Sequence, residues 1–282
     1  MLFRSNPAAI PPARPGQALV VTIHDLAFER FPDLYPPRWL RLYRRGLEIA
    51  VREAHAVLTP SRDAAAAVAA RGIERERIHI TPLAADPPVE RSAASAPPYD
   101  APYVLFVGTL EPRKNLPRLV RAFRAAVRDA SLPHELVLAG ATGWQQDALA
   151  NELASDGGGR VHLPGRVGAH ELEALYRGAD AVAYPSLYEG FGLPVLEALA
   201  HGRPTLSSST SSIPEVAGDA ALLVDPEDDD AIAAGLVRIL TDEPLRAELM
   251  EKGPVRAASF SWAATARATL DAYRDAMERA RI

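Results

Sequence analysis

The sequence predicts an α/β protein in two parts: a complete doubly wound parallel sheet towards the carboxyl terminus and an incomplete one before it. Three observations lead there. From Tyr103 onward, short apolar runs alternate with amphipathic stretches of helical period, the pattern of parallel strands joined by crossover helices. Before that point, the first ~100 residues offer only three clear apolar strands, short of the ~150 residues a complete doubly wound domain usually takes. Between the two parts Pro82, Pro87, Pro88, Pro97, Pro98 and Pro102 fall among alanines and serines, the composition of a linker. The chain thus divides into irregular residues 1–18, a partial α/β domain over 19–85, a linker over 86–102, a complete domain over 103–260 and a closing helix over 261–282, for which packing back on the first domain is one option.

In the first part, residues 1–18 are rich in Pro, Ala and Arg without periodicity and read as irregular. Ala18–Ile23 is a buried strand ending at His24-Asp25, and the carboxyl end of a parallel strand is where open sheets place ligand contacts; a cap on the loop is the plainer role for His24. Pro36–Ala50 reads as a helix with Trp39, Leu40, Tyr43 and Leu47 on one face and Arg38, Arg41, Arg44 and Arg45 around the rest. A solvated helix explains this; peripheral contact with an anionic membrane surface, or a lipid-linked phosphate acceptor, is the alternative. Ala54–Thr59 is the second strand, Ser61 caps a helix through Ala64–Ala70, and Arg77–Ile80 is the third strand.

In the second part, strands are expected at Tyr103–Val107, Glu135–Ala139, Val161–Leu163, Asp180–Tyr184, Pro204–Leu206 and Ala221–Val224. Helices are expected over Asn115–Arg128, Trp144–Leu153, Ala169–Arg177 and Leu193–Ala200, then from Asp229, near Pro244–Ser259 and over Trp262–Arg281.

Two stretches carry chemistry. In Tyr184-Pro-Ser-Leu-Tyr-Glu-Gly-Phe-Gly-Leu-Pro-Val-Leu-Glu-Ala198, Gly190 and Gly192 let backbone amides approach a ligand at the positive end of a helix that begins near Leu193, a seat for phosphate. Glu189 and Glu197 flank that turn, and a carboxylate can accept from two vicinal hydroxyls at once. A first-turn glutamate that only complements the helix dipole is the competing role for Glu197. In Gly108-Thr-Leu-Glu-Pro-Arg-Lys-Asn115, Arg113 offers a planar fork and Lys114 a point charge, suited to a pyrophosphate. Cations disfavour a helix amino end, which suggests that an anion offsets them.

Gly108-Thr-x-x-x-Arg113-Lys114-Asn115, Gly140-x-x-Gly143-Trp144, Gly165-x-Val167 and Pro185-Ser-x-x-Glu189-Gly-Phe-Gly-x-Pro-x-x-Glu197 resemble the donor half of the retaining glycosyltransferase family 4 (group 1), of GT-B fold, with two Rossmann-like domains. The resemblance covers residues 19–282, and Thr22-Ile-His-Asp25 is similar to mannosyltransferase-like members. It implies a metal-independent enzyme with no cofactor, moving a sugar, mannose favoured, from a nucleotide-diphosphate sugar to a glycan or lipid-linked acceptor. It implies further that Arg113 and Lys114 hold the diphosphate beside Gly108, that Glu189 binds the donor-sugar hydroxyls and that Gly190, Phe191, Gly192 and Leu193 supply backbone contacts. Glu197 would hold the ribose diol, His24 would reach the sugar and Arg166 would lie near the base. Residues 19–85 would be the acceptor side and 103–260 the nucleotide-sugar donor side. Nothing before Ala18 resembles the family's first βα units, so an amino-terminal part is expected to be missing. A truncated, non-catalytic nucleotide-binding remnant and a sugar-nucleotide epimerase or phosphorylase on the same fold are the alternatives.

The composition narrows the classes. The chain has 282 residues, 48% of them hydrophobic, enough for sizeable cores, and a net charge of −5 gives no reason to expect nucleic acid. With no cysteine there is neither a disulfide nor a thiolate metal site, which suits a cytoplasmic protein, peripheral at the inner membrane face in the alternative above. No apolar run is long enough to span a bilayer, and no signal-peptide core follows Met1. Asp228-Asp-Asp230 has a metal-binding spacing, but it precedes an apolar helix and reads as an amino cap. His170 and His201 read as surface residues.

Overall fold

The computed structural model of the chain describes residues 2–4, 10, 12–88, 99–155 and 160–280. The linker expected over 86–102 lies, for 89–98, outside the described residues, as do residues 1, 5–9 and 11 of the stretch expected to be irregular at the amino terminus. By contacts the chain divides into one unit of 1–84, 189–191 and 260–282 and a second of 85–188 and 192–259.

The first unit holds four parallel strands in spatial order β1-β2-β3-β4: β1 (Leu2–Arg4), β2 (Leu19–Thr22), β3 (Ala56–Thr59) and β4 (Ile78–Ile80). β1 corrects the expectation of irregular chain over 1–18: Leu2 pairs with Leu19 and Arg4 with Val21. Three residues are too few to show a period, so the pairing with β2 defines this strand and the local pattern does not. Successive residues of β2 point to opposite faces, and both faces are covered. Leu19, Val21 and Val57 pack with Phe28 of α1 (Ala27–Arg30), Leu47 and Ile49 of α2 (Pro37–Glu53) and Val68 of α3 (Arg62–Ala70). Val20, Ala56 and Leu58 pack with Ala272 and Ala276 of the closing helix, Trp262–Arg279. Small side chains on that helix allow it to lie close to the strands.

Helix α2 begins with Pro37, whose missing N–H costs nothing at that position. It turns Leu40, Tyr43 and Leu47 to the core and leaves Arg38, Arg41, Leu42 and Arg45 exposed. Arg44 pairs with Glu29 at 3.1 Å. The Ser61 hydroxyl accepts from the Ala64 amide at 3.1 Å and starts α3.

The second unit is a six-stranded parallel sheet: β5 (Tyr103–Val107), β6 (Glu135–Ala139), β7 (Val161–Gly165), β8 (Ala181–Tyr184), β9 (Thr205–Ser208) and β10 (Leu222–Val224). Their spatial order is β10-β9-β8-β5-β6-β7. Counted from β5 as the first strand this is 6-5-4-1-2-3, the doubly wound order, and the winding reverses between β5 and β8. Ligands of such sheets bind outside the carboxyl ends of the two strands at that reversal. The crossovers are α4 (Leu116–Asp129), α5 (Asp147–Ala154), α6 (Ala169–Gly178), α7 (Leu193–Ala200) and α8 (Ile213–Ala217), followed by α9 (Asp229–Thr241) and α10 (Glu243–Ala258); Trp262–Arg279 is α11. Helix α5 starts three residues later than expected, because Gln145 takes a left-handed φ of 52° and Gln146 caps the helix. Asp228 accepts from the Ala231 amide at 2.9 Å and caps α9, the role read from the sequence.

Candidate functional site

The loops that follow β5 and β8 are the ones at the reversal, and they are tied to each other. The β5 loop leaves through Gly108 at φ 150° and passes so close to the next strand that a Cβ on Gly140 would sit 1.8 Å from the Gly108 carbonyl oxygen. Only glycine fits there. Pro112–Lys114 form a 3-10 turn, and Asn115 takes φ 63°, a left-handed conformation asparagine tolerates. The Asn115 amide donates to the carbonyls of Pro185 at 3.0 Å and Pro226 at 2.7 Å, and the Leu187 N–H donates to the Arg113 carbonyl at 2.9 Å. The two loops form a single braced surface.

Arg113 and Lys114 are set into it. Arg113 donates from Nη1 to the Tyr188 carbonyl and from Nη2 to Glu111 Oε1, both at 2.7 Å. Lys114 is 7% exposed; its Nζ donates to the Tyr184 hydroxyl at 2.5 Å and lies 5.0 Å from that ring's centroid. Tyr184 is itself buried and stacked on Phe106 at 5.3 Å. A buried cation is costly unless anions or dipoles surround it, and the Tyr184 hydroxyl and ring supply part of that surrounding. For Arg113 the inference from helix polarity weakens, because Glu111 already supplies a negative charge. Both cations also precede the helix, which Asn115 caps.

Glu197 is the fifth residue of α7, and no acidic residue lies in that helix's first turn, so dipole complementarity does not explain it. Its Oε2 accepts from the Tyr176 hydroxyl at 2.8 Å. Burial pushes the Glu197 carboxyl above the usual carboxylate range; the Tyr176 hydrogen bond and His201 pull it down and Asp86 pushes it up. His201, expected at the surface, is instead largely buried in side chain, with Nδ1 2.8 Å from the Glu197 carbonyl and Nε2 2.8 Å from Glu173 Oε2. Its position just beyond α7 turns it onto α6. Gly192 caps α7 at φ 99°, and Leu193 is the first helical residue. Arg166 follows β7, two strands out from β5, and is exposed.

The remaining candidates group with the first unit. His24 is exposed just past β2, and Asp25 Oδ1 accepts from the Ala27 amide at 2.9 Å. A Cβ on Gly190 would lie 2.0 Å from the His24 carbonyl, and the Gly190 carbonyl accepts from the Ser61 hydroxyl at 2.6 Å. Glu189 is 6% exposed, and Phe191 meets Phe260 edge-on at 5.7 Å. The structure thus brings Arg113 to the loop that precedes α7, Gly108 and Lys114 to Tyr184 at the end of β8, and Gly190 to His24. Sequence reading missed Tyr176, Glu111 and Ser61 as members of these networks. Glu111 lies two residues from Arg113 and could have been paired with it; Tyr176 and Ser61 gave no local signal.

The sequence model of the glycosyl transferases group 1 matches residues 90–256, and that of glycosyltransferase family 4 matches residues 3–88. The second match begins before Ala18 and so extends the resemblance beyond the residues 19–282 over which it was read. The chain is 34% identical over 266 residues to the O-antigen chain mannosyltransferase B of Escherichia coli, covering 90% of this chain and 70% of that protein. It is 33% identical over 174 residues to the serotype-specific mannosyltransferase WbdA of Escherichia coli, covering 61% of this chain but 21% of that protein. Among solved structures, sucrose-phosphate synthase from Thermosynechococcus elongatus aligns with a TM-score of 0.72 at 25% identity, covering 90% of this chain and 67% of that one. These matches, together with the doubly wound order of the second sheet, show that the chain belongs to the group 1 glycosyltransferases of GT-B fold.

Proposed function

We propose that this glycosyltransferase takes a nucleoside-diphosphate sugar, with mannose as the sugar, and transfers the sugar to a glycan or lipid-linked acceptor with retention of configuration. The observation that carries the reading is the anchoring of Arg113 to the loop after β8 and of Lys114 to Tyr184 at the end of β8, two cations at the sheet's reversal point. There they would neutralise the diphosphate as its charge grows on leaving, the task a metal ion performs in other transferases. Gly192 and Leu193 would add amides at the positive end of α7. Glu197 would accept from the ribose hydroxyls and Glu189 from the sugar hydroxyls, with His24, Gly190 and Phe191 beside the sugar and Arg166 near the base. Departure of the diphosphate from the face that the acceptor attacks would retain the anomeric configuration. The mannose assignment rests on the named mannosyltransferase relatives.

The test is incubation with GDP-mannose and a panel of mannosides, with the product read by NMR. Release of GDP with a new glycosidic bond of the donor's anomeric configuration is expected. A product of inverted configuration would overturn the retaining assignment, and no transfer from GDP-mannose alongside transfer from UDP-glucose would overturn the choice of donor.

A further inference from the structure

Among the described residues, Glu197 is held from one side. Its Oε2 takes the Tyr176 hydroxyl at 2.8 Å. That phenol has no room to move: Tyr176 is 1% exposed, shares an apolar cluster with Leu175, Val182 and Ala198, and stacks on His201 at 4.8 Å with planes 20° apart. His201 is clamped in turn by the Glu197 carbonyl and by Glu173, whose Oε1 accepts from Arg177 at 2.7 Å. A glutamate side chain that must freeze on binding loses rotamer entropy, and one already frozen does not.

We propose that Tyr176 is a positioning residue of the nucleotide site: its hydroxyl fixes the Glu197 carboxylate to receive the two vicinal hydroxyls of a ribose, making the site selective for ribonucleoside over 2′-deoxyribonucleoside diphosphates. This rests on Glu197 being the ribose contact. A neutral phenol suits the task. It occupies one lone pair of one oxygen, leaves the rest of the carboxylate for two hydroxyl donors and does not cancel the charge as an arginine would. The groups that act on Glu197 are Tyr176 from α6, His201 at the end of its own helix and Asp86. Burial and Asp86 favour the protonated acid, Tyr176 and His201 the carboxylate. Removing the phenol hydroxyl therefore raises the Glu197 pKa further, so binding that needs the carboxylate is lost at a higher pH as the solution is acidified.

The experiment measures dissociation constants of GDP, 2′-deoxy-GDP and inorganic pyrophosphate by calorimetry, from acidic to neutral pH, for the native chain, Tyr176→Phe and Glu197→Gln, each checked for a cooperative melt. Tyr176→Phe is expected to weaken GDP by about tenfold, the effect of one hydrogen bond to a charged group. It should also narrow the preference for GDP over 2′-deoxy-GDP, move the acid-side loss of affinity to higher pH and leave pyrophosphate unchanged. Equal weakening of GDP and pyrophosphate would make Tyr176 a support of the fold and overturn the proposal. If Tyr176→Phe changes none of these while Glu197→Gln weakens GDP, the positioning role fails and the ribose contact stands. If Glu197→Gln leaves GDP affinity intact, the ribose contact itself is wrong and the proposal falls with it.

Discussion

Replacing Arg113 and Lys114 together by alanine is expected to weaken nucleoside diphosphate binding by about 100-fold or more while leaving binding of the bare nucleoside nearly unchanged. Hydrogen bonds to charged groups contribute about 1.5 to 3 kcal/mol each, so losing two costs about 3 to 6 kcal/mol, and 2.7 kcal/mol is already about 100-fold. The single variants separate charge from bracing. Lys114 touches the Tyr184 hydroxyl, whereas Arg113 also holds the Tyr188 carbonyl and Glu111. Both single variants should lose diphosphate affinity, and a melting temperature measured for each separates that loss from a loss of bracing. Calorimetric titration with GDP and guanosine reads the effect. Equal losses for the two ligands would show that the loop shapes the whole pocket and that neither cation meets phosphate.

Glu189→Gln is expected to reduce sugar transfer by about 100-fold or more without changing nucleoside diphosphate affinity. Glu189 is buried, and a carboxylate accepts from sugar hydroxyls without the competing donor that an amide presents. Interactions that strengthen as the transition state forms have effects of this size on turnover. Rates from donor-saturated assays, set against GDP dissociation constants, separate the two quantities. Parallel losses of transfer and GDP affinity would remove Glu189 from the sugar.

The second unit was largely legible in the sequence because its central strands β5, β6 and β8 are buried on both faces and so read as apolar runs between helical stretches. Helix α7 runs over Leu193–Ala200 as the pattern gives it, since Gly192 and Pro194 mark its start locally. What the pattern lacks is pairing. That β5 lies between β6 and β8 is a tertiary fact, and only this order turns two separate motifs into neighbours. β1 was invisible because its pairing with β2, and not its three residues, defines it. The site shows the same divide. Gly108, Arg113, Lys114, Glu189 and Glu197 stand out by residue type and spacing. Tyr176 reaches Glu197 from twenty-one residues away, through a helix whose own pattern only says which face is buried.

The most direct measurement is the thermal shift of the purified chain with GDP, UDP and ADP, each with and without EDTA. A ligand at 100 times its dissociation constant adds about 2.7 kcal/mol of stability, which for a domain of this size is a rise of about 5 to 10 °C. Stabilisation by one of the three diphosphates, GDP above the others and indifferent to EDTA, is the result expected of a metal-independent nucleotide site between the β5 and β8 loops. No shift with any of them in a chain that melts cooperatively, or a shift that EDTA abolishes, would contradict it.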